Sequence, residues 1–182
     1  LTSLDVSNNT DLSILQCSSN KLTSLDVTNN TALETLWCVL NPLSHLDVSN
    51  NTLLADLNCA INQLITLDIS NNTALKILNC SRNQLTSLNV SNNGVLESLD
   101  CETNQLPGLD VSQNIILKRC ACSSNMLTTM DISANISLKQ LYLGSIPSLN
   151  KVCVWVLPFP PAGVVVELTG SPNVEFTRDC GK

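Results

Sequence analysis

The sequence predicts a solenoid: short coils stacked in one column, mostly parallel β with very little helix, closed by a small β cap. Three observations predict it. Shifted so that Leu1 falls on Leu22, the chain matches itself, and Leu1, Leu22, Leu43, Leu64, Leu85, Leu106 and Leu127 open seven consecutive units without insertion or deletion. The first five units carry the spacing L-x-x-L-x-C-x-x-N-x-L, as in Leu33-Glu34-Thr35-Leu36-Trp37-Cys38-Val39-Leu40-Asn41-Pro42-Leu43. Unit six puts Cys120 at the second leucine, and unit seven has Leu143 and Ile146 for the Cys and Asn. Self-similarity at such a period marks stacked repeats. Within each half-unit the apolar residues alternate with period two, which is extended chain. Two extended segments in so short a unit leave no room for a full helix.

Each unit reads as two half-turns. The first, Leu1-Thr2-Ser3-Leu4-Asp5-Val6-Ser7-Asn8-Asn9 in unit one, is L-x-x-L-D-V-S-x-N; the second, Leu12-Ser13-Ile14-Leu15-Gln16-Cys17-Ser18-Ser19-Asn20, is L-x-x-L-x-C-x-x-N. Positions one, four and six point inward and three, five and seven outward. Stacking should therefore give two parallel sheets or sheet-like faces on opposite sides of a thin core. The terminal Asn of each half is expected to satisfy backbone groups where the chain turns into that core. One such ladder is Asn20, Asn41, Asn62, Asn83, Asn104 and Asn125; the other is Asn9, Asn30, Asn51, Asn72, Asn93, Asn114 and Asn135.

Six of the nine cysteines, Cys17, Cys38, Cys59, Cys80, Cys101 and Cys122, recur once per unit at an inward position. Stacked coils place such residues roughly 4.8 Å apart at Cα. In-register parallel Cβ vectors stay farther apart than the ~3.8 Å that a disulfide prefers. They read as a structural ladder of reduced thiols acting as small hydrophobes. Zinc chemistry is a poor fit, because C-x-x-C pairs are missing and the chain has one histidine.

These motifs identify a leucine-rich repeat solenoid. The chain resembles the bacterial, internalin J-like leucine-rich repeats of this same length, in which a cysteine replaces one ladder leucine. The wording L-T-S-L-D-V-S-N-N-T is similar to that of Bacteroidetes surface proteins. The resemblance covers about four fifths of the chain. It implies a right-handed superhelix of the β-α type, with L-x-x-L-x-C-x-x-N-x-L as the strand of a concave sheet and the L-D-V-S half on the convex side. It also implies a secreted or surface-anchored protein that binds proteins or host ligands and has no enzymatic activity.

Comparing repeats within the chain separates the two faces without the resemblance. On the L-D-V-S side the outward residues barely change: Asp5, Asp26, Asp47, Asp68, Asn89, Asp110 and Asp131 hold the fifth position, with Ser or Thr at the seventh. On the other side they differ in every coil, from Thr35-Trp37-Val39 to Asp56-Asn58-Ala60, Ile77-Asn79-Ser81, Ser98-Asp100-Glu102, Arg119-Ala121-Ser123 and Gln140-Tyr142-Gly144. A structural face solves the same packing problem in every coil, whereas a recognition face needs individual chemistry. The candidate partner-binding residues are Thr35, Trp37, Val39, Asp56, Asn58, Asn79, Asp100, Glu102, Arg119 and Tyr142. Trp37 stands out because Trp, Tyr and Arg dominate interface hot spots; packing on a neighbouring coil or a further domain is the other reading of it.

Other constellations are weak. His45, Asp47 and Ser24 share the repetitive face and superficially resemble a Ser-His-Asp set, but ordinary surface residues explain them. Adjacent aspartates about 5 Å apart repel by roughly 0.8 kcal/mol per pair even in water. Neighbouring hydroxyls relieve this better than calcium, which needs six to eight oxygens. Cys120 replaces a core leucine and should point inward beside Cys122, as a smaller packing residue or as a redox or metal C-x-C. The Asn-Asn-Thr triplets match the glycosylation pattern only because the repeat wording contains it. No catalytic residue, metal or cofactor is assigned.

Residues 1–147 form the repeats and 148–182 the C-terminal cap. From Pro147 the period fails; Lys151, Cys153 and Trp155 should face away from the core, and strands are predicted over 163–168 and 173–177 around Gly170-Ser171-Pro172. Terminal repeats must shield the last core layer. Cys153 and Cys180, off the ladder, are placed to staple the cap through a loop of about 28 residues, worth roughly 3 kcal/mol on the chain-entropy model, which implies export. The first coil has no such cap, and upstream sequence or a second subunit should cover it.

A net charge of −6 and a pI near 4.5 exclude a nucleic-acid surface. No stretch is long and apolar enough to insert in a membrane. The sequence thus predicts a non-catalytic protein-binding or adhesion domain of an exported bacterial surface protein, with a host or cell-surface protein as partner. A glycan-binding module on the same face and a passive spacer are the alternatives.

Overall fold

A computed structural model of the chain describes residues 1–180. It is a parallel β-solenoid of about eight turns, with no helix among the described residues. Every strand is three residues long. One sheet runs the length of the stack: β1 (Ile14–Gln16), β2 (Thr35–Trp37), β3 (Asp56–Asn58), β4 (Ile77–Asn79), β5 (Ser98–Asp100), β6 (Arg119–Ala121), β8 (Gln140–Tyr142) and β10 (Val165–Glu167), each parallel to the next. The register shifts by one full repeat per step through β8, so Leu15, Leu36, Leu57, Leu78, Leu99, Cys120 and Leu141 stack in one inward row. A second sheet holds β7 (Thr129–Asp131), β9 (Lys151–Cys153) and β11 (Glu175–Thr177).

That second sheet is shorter than the repeat pattern predicts. It forms only at the C-terminal end, and the L-D-V half of the first six coils carries no strand. Each Asp Oδ1 accepts the backbone N–H two residues on: Ser7 N at 2.9 Å from Asp5, Thr28 N at 2.9 Å from Asp26, and so along the row. The same bond coexists with pairing in β7, where Asp131 Oδ1 accepts from Ser133 N at 2.9 Å while Ile132 N donates to Cys153 O at 2.9 Å. Pairing appears where the next coil reads Lys151-Val152-Cys153 and has lost the Asp-x-Ser wording.

The core is thin and continuous. Leu22, Leu33, Leu36, Leu43 and their equivalents are fully buried, as are Cys38, Cys59, Cys80, Cys101 and Cys122. All seven ladder and C-x-C thiols are free. Desolvation raises the ladder thiols from Cys17 to Cys101, with Cys59 pushed up to about 12, so they remain protonated and inert. Cys120 takes a leucine's place in the inward row between Leu99 and Leu141.

The Asn20-type ladder closes each of the first six coils. Asn62 Nδ2 donates to Cys38 O at 3.1 Å in the preceding coil, and to Cys59 O at 3.0 Å and Ala60 O at 3.2 Å in its own. Its Oδ1 accepts from Leu43 N at 3.1 Å. The residue before each of these Asn is left-handed: Ser19, Leu40, Ile61, Arg82, Thr103 and Ser124, followed by Ser145 in the last repeat, all at φ 54 to 57°. That conformation is costly for a β-branched residue such as Ile61, and the ladder bond from Ile61 N to Ser81 O (2.9 Å) holds it. In the second ladder Asn51 Nδ2 donates to Val27 O and Asn30 O, while Oδ1 is buried with no partner; six Asn repeat this pattern.

The last segment continues the stack. The strands predicted over 163–168 and 173–177 appear shorter, as β10 and β11, and extend the two sheets by pairing with β8 and β9. Ser171 takes the part of an Asn: its Oγ donates to Leu143 O at 2.6 Å and accepts from Ile146 N at 2.8 Å. A Cβ at Gly144 would strike the Glu167 carboxylate and Thr169 O, so glycine there lets β10 dock. Cys153 is disulfide-bonded to Cys180, with Cα atoms 5.6 Å apart, and is buried outside the main core. Trp155, predicted to face away, instead packs against the core and meets Phe159 edge to face at 5.2 Å; β9 ends at Cys153, so the alternation stops before it reaches Trp155.

The ladders make the buried and exposed asparagines unequal. Asn62→Ala strands buried backbone groups of two coils and should cost about 3 kcal/mol or more, whereas Asn50→Ala, whose bond to Thr28 O is exposed, should change stability by no more than about 0.5 kcal/mol; urea midpoints measure both. The aspartate row sets the acid limb. Hydrogen bonds from the hydroxyl and N–H of Ser7 and Thr28, and from the N–H and hydroxyl of Ser49 and Ser70, hold Asp5, Asp26, Asp47 and Asp68 below the ordinary 3.8. Their contribution is whole above that value and is lost as pH falls through the lower folded values. Coil five has Asn89 in this row with the same bond to Ser91 N. Replacing Asp26, Asp47 and Asp68 by Asn should therefore leave the melting temperature at pH 7 unchanged and flatten its decline below pH 4.

Candidate binding surface

The long sheet holds coils at the parallel-strand spacing of about 4.8 Å. On the opposite side no continuous ladder does so, and clefts open between coils. His45, Asp47, Thr66 and Asp68 line one, and Gly108, Asp110, Thr129 and Asp131 another. The long sheet corresponds to the inner, concave face that the resemblance to leucine-rich repeats implies.

All ten candidate residues lie on that face. Thr35 lies beside Asp56, and Trp37, Asn58, Asn79 and Asp100 form one row across four coils. Val39 and Glu102 follow two residues after Trp37 and Asp100 and are half-buried. The row continues through Ala121 to Tyr142. Trp37 is 38% exposed, so it is not consumed by packing on neighbouring coils.

Three of the ten also serve the backbone. Asn79 Oδ1 accepts from Ser81 N at 3.0 Å and from the Ser81 hydroxyl at 2.7 Å, Asn58 Oδ1 accepts from Ala60 N at 3.3 Å, and Asp100 Oδ1 from Glu102 N at 3.3 Å. These are the turn bonds of the aspartate row transplanted to the concave side. Arg119 reaches diagonally across the strands, with Nη1 3.2 Å from Asp100 Oδ2 and its guanidinium 5.1 Å from the centre of the Tyr142 ring. Ala121, between them in the row, is fully buried. The result is a half-buried Asp-Arg-Tyr cluster fixed before any partner arrives.

The sequence reasoning left out several residues of this surface. Leu40 and Ile61, in the left-handed positions at the strand ends, are 50% and 40% exposed and extend the apolar ground around Trp37. Ile14 and Ile77, which the alternation already places outward on this face, are exposed as expected, and Val165 in the last segment is exposed as well. The eighth position, Ser19, Leu40, Ile61, Arg82, Thr103, Ser124 and Ser145, varies as much as the three outward rows; that column was the available signal.

The other candidates resolve into structural roles. Asp47 accepts from Ser49 N and, with His45, lines an open cleft of repeat residues. Asp131, Cys153 and Cys180 lie close enough together to suggest a metal site, but both sulfurs are spent in the disulfide.

The chain is a leucine-rich repeat solenoid of 21-residue turns around a cysteine ladder, similar to bacterial leucine-rich repeat proteins. The functional domain of InlJ from Listeria monocytogenes, described as including a cysteine ladder, is 33% identical over 96% of this chain, with a TM-score of 0.69. A leucine-rich repeat protein of Leptospira interrogans (21% identity, 94% of this chain, TM-score 0.72) and a further internalin from Listeria monocytogenes (19%, 94%, 0.72) share the fold. The chain spans about half the length of these structures: 47%, 50% and 48% respectively. No protein-family profile and no curated protein sequence matches it.

Proposed function

We propose that this is a non-catalytic protein-binding domain of an exported surface protein, which contacts its partner through the concave face of the long sheet. Residues 1–147 are the recognition repeats and the segment from 148 is the cap. One observation carries the reading: outward chemistry is uniform on the convex side and individual in every concave coil. Folding explains the uniform side, where each Asp serves its own turn. Folding does not call for a half-exposed Trp37 or for a prepositioned Arg119–Tyr142 pair, and these are the residue types on which interfaces depend. The similarity to the InlJ functional domain supports a recognition role.

The disulfide supports export, because such bonds persist in oxidising compartments. Among the described residues no helix is long and apolar enough to cross a membrane. The partner is a host or cell-surface protein.

Binding to a panel of matrix proteins, mucins and glycans tests this, with three variants beside the parent chain. A protein ligand should lose roughly tenfold or more in affinity with Trp37→Ala and with the Asp100→Lys/Glu102→Lys double reversal, the size of a modest hot spot. His45→Ala on the convex side should leave it unchanged. A ligand indifferent to both concave variants, or one that is purely glycan, would overturn the assignment.

A further inference from the structure

The concave surface is polarised along the stack. At the second coil and the adjoining turn of the third it is apolar, with Trp37, Val39, Leu40 and Ile61 around the buried Ala60, and Asp56 and Asn58 of the third coil lie beside them. At the fifth coil it is acidic, with Asp100 and Glu102 two residues apart on the same outward side. Across the three outward rows the carboxylates are Asp56, Asp100, Glu102 and Glu167, and the one cation is Arg119. Arg119 is already engaged with Asp100 and Tyr142. Arg82 lies outside these rows, on the flanking turn.

We infer that the partner presents an extended segment carrying an apolar anchor and a lysine or arginine, the anchor seated at Trp37 and the cation at Glu102. This rests on the concave face being the binding face. The register gives the distance between the two seats. Trp37, Asn58, Asn79 and Asp100 are direct neighbours on successive strands. Three strand spacings of about 4.8 Å, together with the two residues along the chain from Asp100 to Glu102, therefore separate the two seats by about 16 Å. An extended chain rises about 3.4 Å per residue, so the two side chains should be about four to five positions apart.

Charge complementarity selects the cation. An acidic segment would meet Asp56, Asp100 and Glu102 with like charge, which costs affinity and slows encounter. An uncharged one would leave the half-buried Glu102 carboxylate covered without a counter-ion, an expensive outcome in an interface. A lysine or arginine instead forms a charge-assisted hydrogen bond to Glu102. Between the two ends Ala60 and Ser81 are short, so a backbone can approach the sheet there.

A random twelve-residue peptide library displayed on phage and selected against the intact chain tests the inference. Enriched peptides should carry Trp, Phe, Leu or Ile three to five positions from Lys or Arg. A synthesised consensus peptide should bind at least tenfold more weakly to Trp37→Ala and to Asp100→Asn/Glu102→Gln, and its affinity should fall with added salt. The second variant keeps the turn, since Asn58 and Asn79 already make that bond in neighbouring coils, and an unchanged melting temperature would verify it. Peptides that are acidic or neutral and indifferent to the carboxylate variant, yet lost with Trp37→Ala, would overturn this inference and leave the binding face standing. Peptides indifferent to both variants would overturn the binding face too. No enrichment over an unrelated target would overturn the inference.

Discussion

A solenoid without helices must take its polar backbone through an apolar core twice in every coil, and the buried asparagine amides make that possible. Asn62 joins two carbonyls and the opening N–H of its own coil to a carbonyl of the coil before it. One side chain thus closes a turn and glues an interface at once. A coil cannot close fully without its neighbour, so the stability of a repeat and that of its interface are largely the same quantity. The same coupling explains the unbroken period. An insertion anywhere in a coil would carry the next Asn away from the carbonyls behind it, leaving buried groups unpaired on both sides of the step. Where the Asn finally disappears, at Ile146, Ser171 Oγ from the cap supplies a donor and an acceptor in its place.

The two faces differ because they satisfy their backbones differently. On the sheet side, N–H and C=O groups pair between coils, which releases outward side chains from any folding duty. On the convex side each Asp bonds its own turn, which commits the side chain, and the monotony of the sequence there has this cause. Freedom on the concave side is incomplete: Asn58, Asn79 and Asp100 bend back onto their own chain. The residues without such a bond, Trp37, Glu102 and Tyr142, and Arg119, which Asp100 and Tyr142 hold in place, are the ones the proposed recognition would use.

The period, the inward leucine and cysteine rows and both asparagine ladders were legible in the sequence, because each depends on residue type at fixed spacing. The left-handed turn was not. Glycine and asparagine advertise that conformation, but here Ser, Leu, Ile, Arg and Thr adopt it, and only the inter-coil bonds impose it. Leu40 and Ile61 were missed as surface residues for the same reason. The Asp100–Arg119–Tyr142 cluster was legible residue by residue but not as a cluster, because the contact is diagonal and requires the register. The missing convex strands lay beyond periodicity: this half alternates like a strand in all seven units, and only the seventh forms one. In the cap the proline-rich stretch hid that β10 returns to pair with β8.

The same geometry governs the cysteines. The bonded pair Cys153–Cys180 and a column of free thiols occupy one short chain, although an oxidising compartment would act on both. What separates them is where the backbone points each Cβ. Cys153 and Cys180 come from the end of the stack, where the chain leaves the repeat and two Cβ atoms can converge. The ladder cysteines are related by translation along the column, so their Cβ vectors run parallel and cannot reach disulfide spacing without breaking the strands that carry them. Burial adds a second barrier, since exchange requires thiolate and desolvation drives these thiols well above their usual range. Cysteine is tolerable in this row because the ladder bonds of its own backbone keep it unreactive.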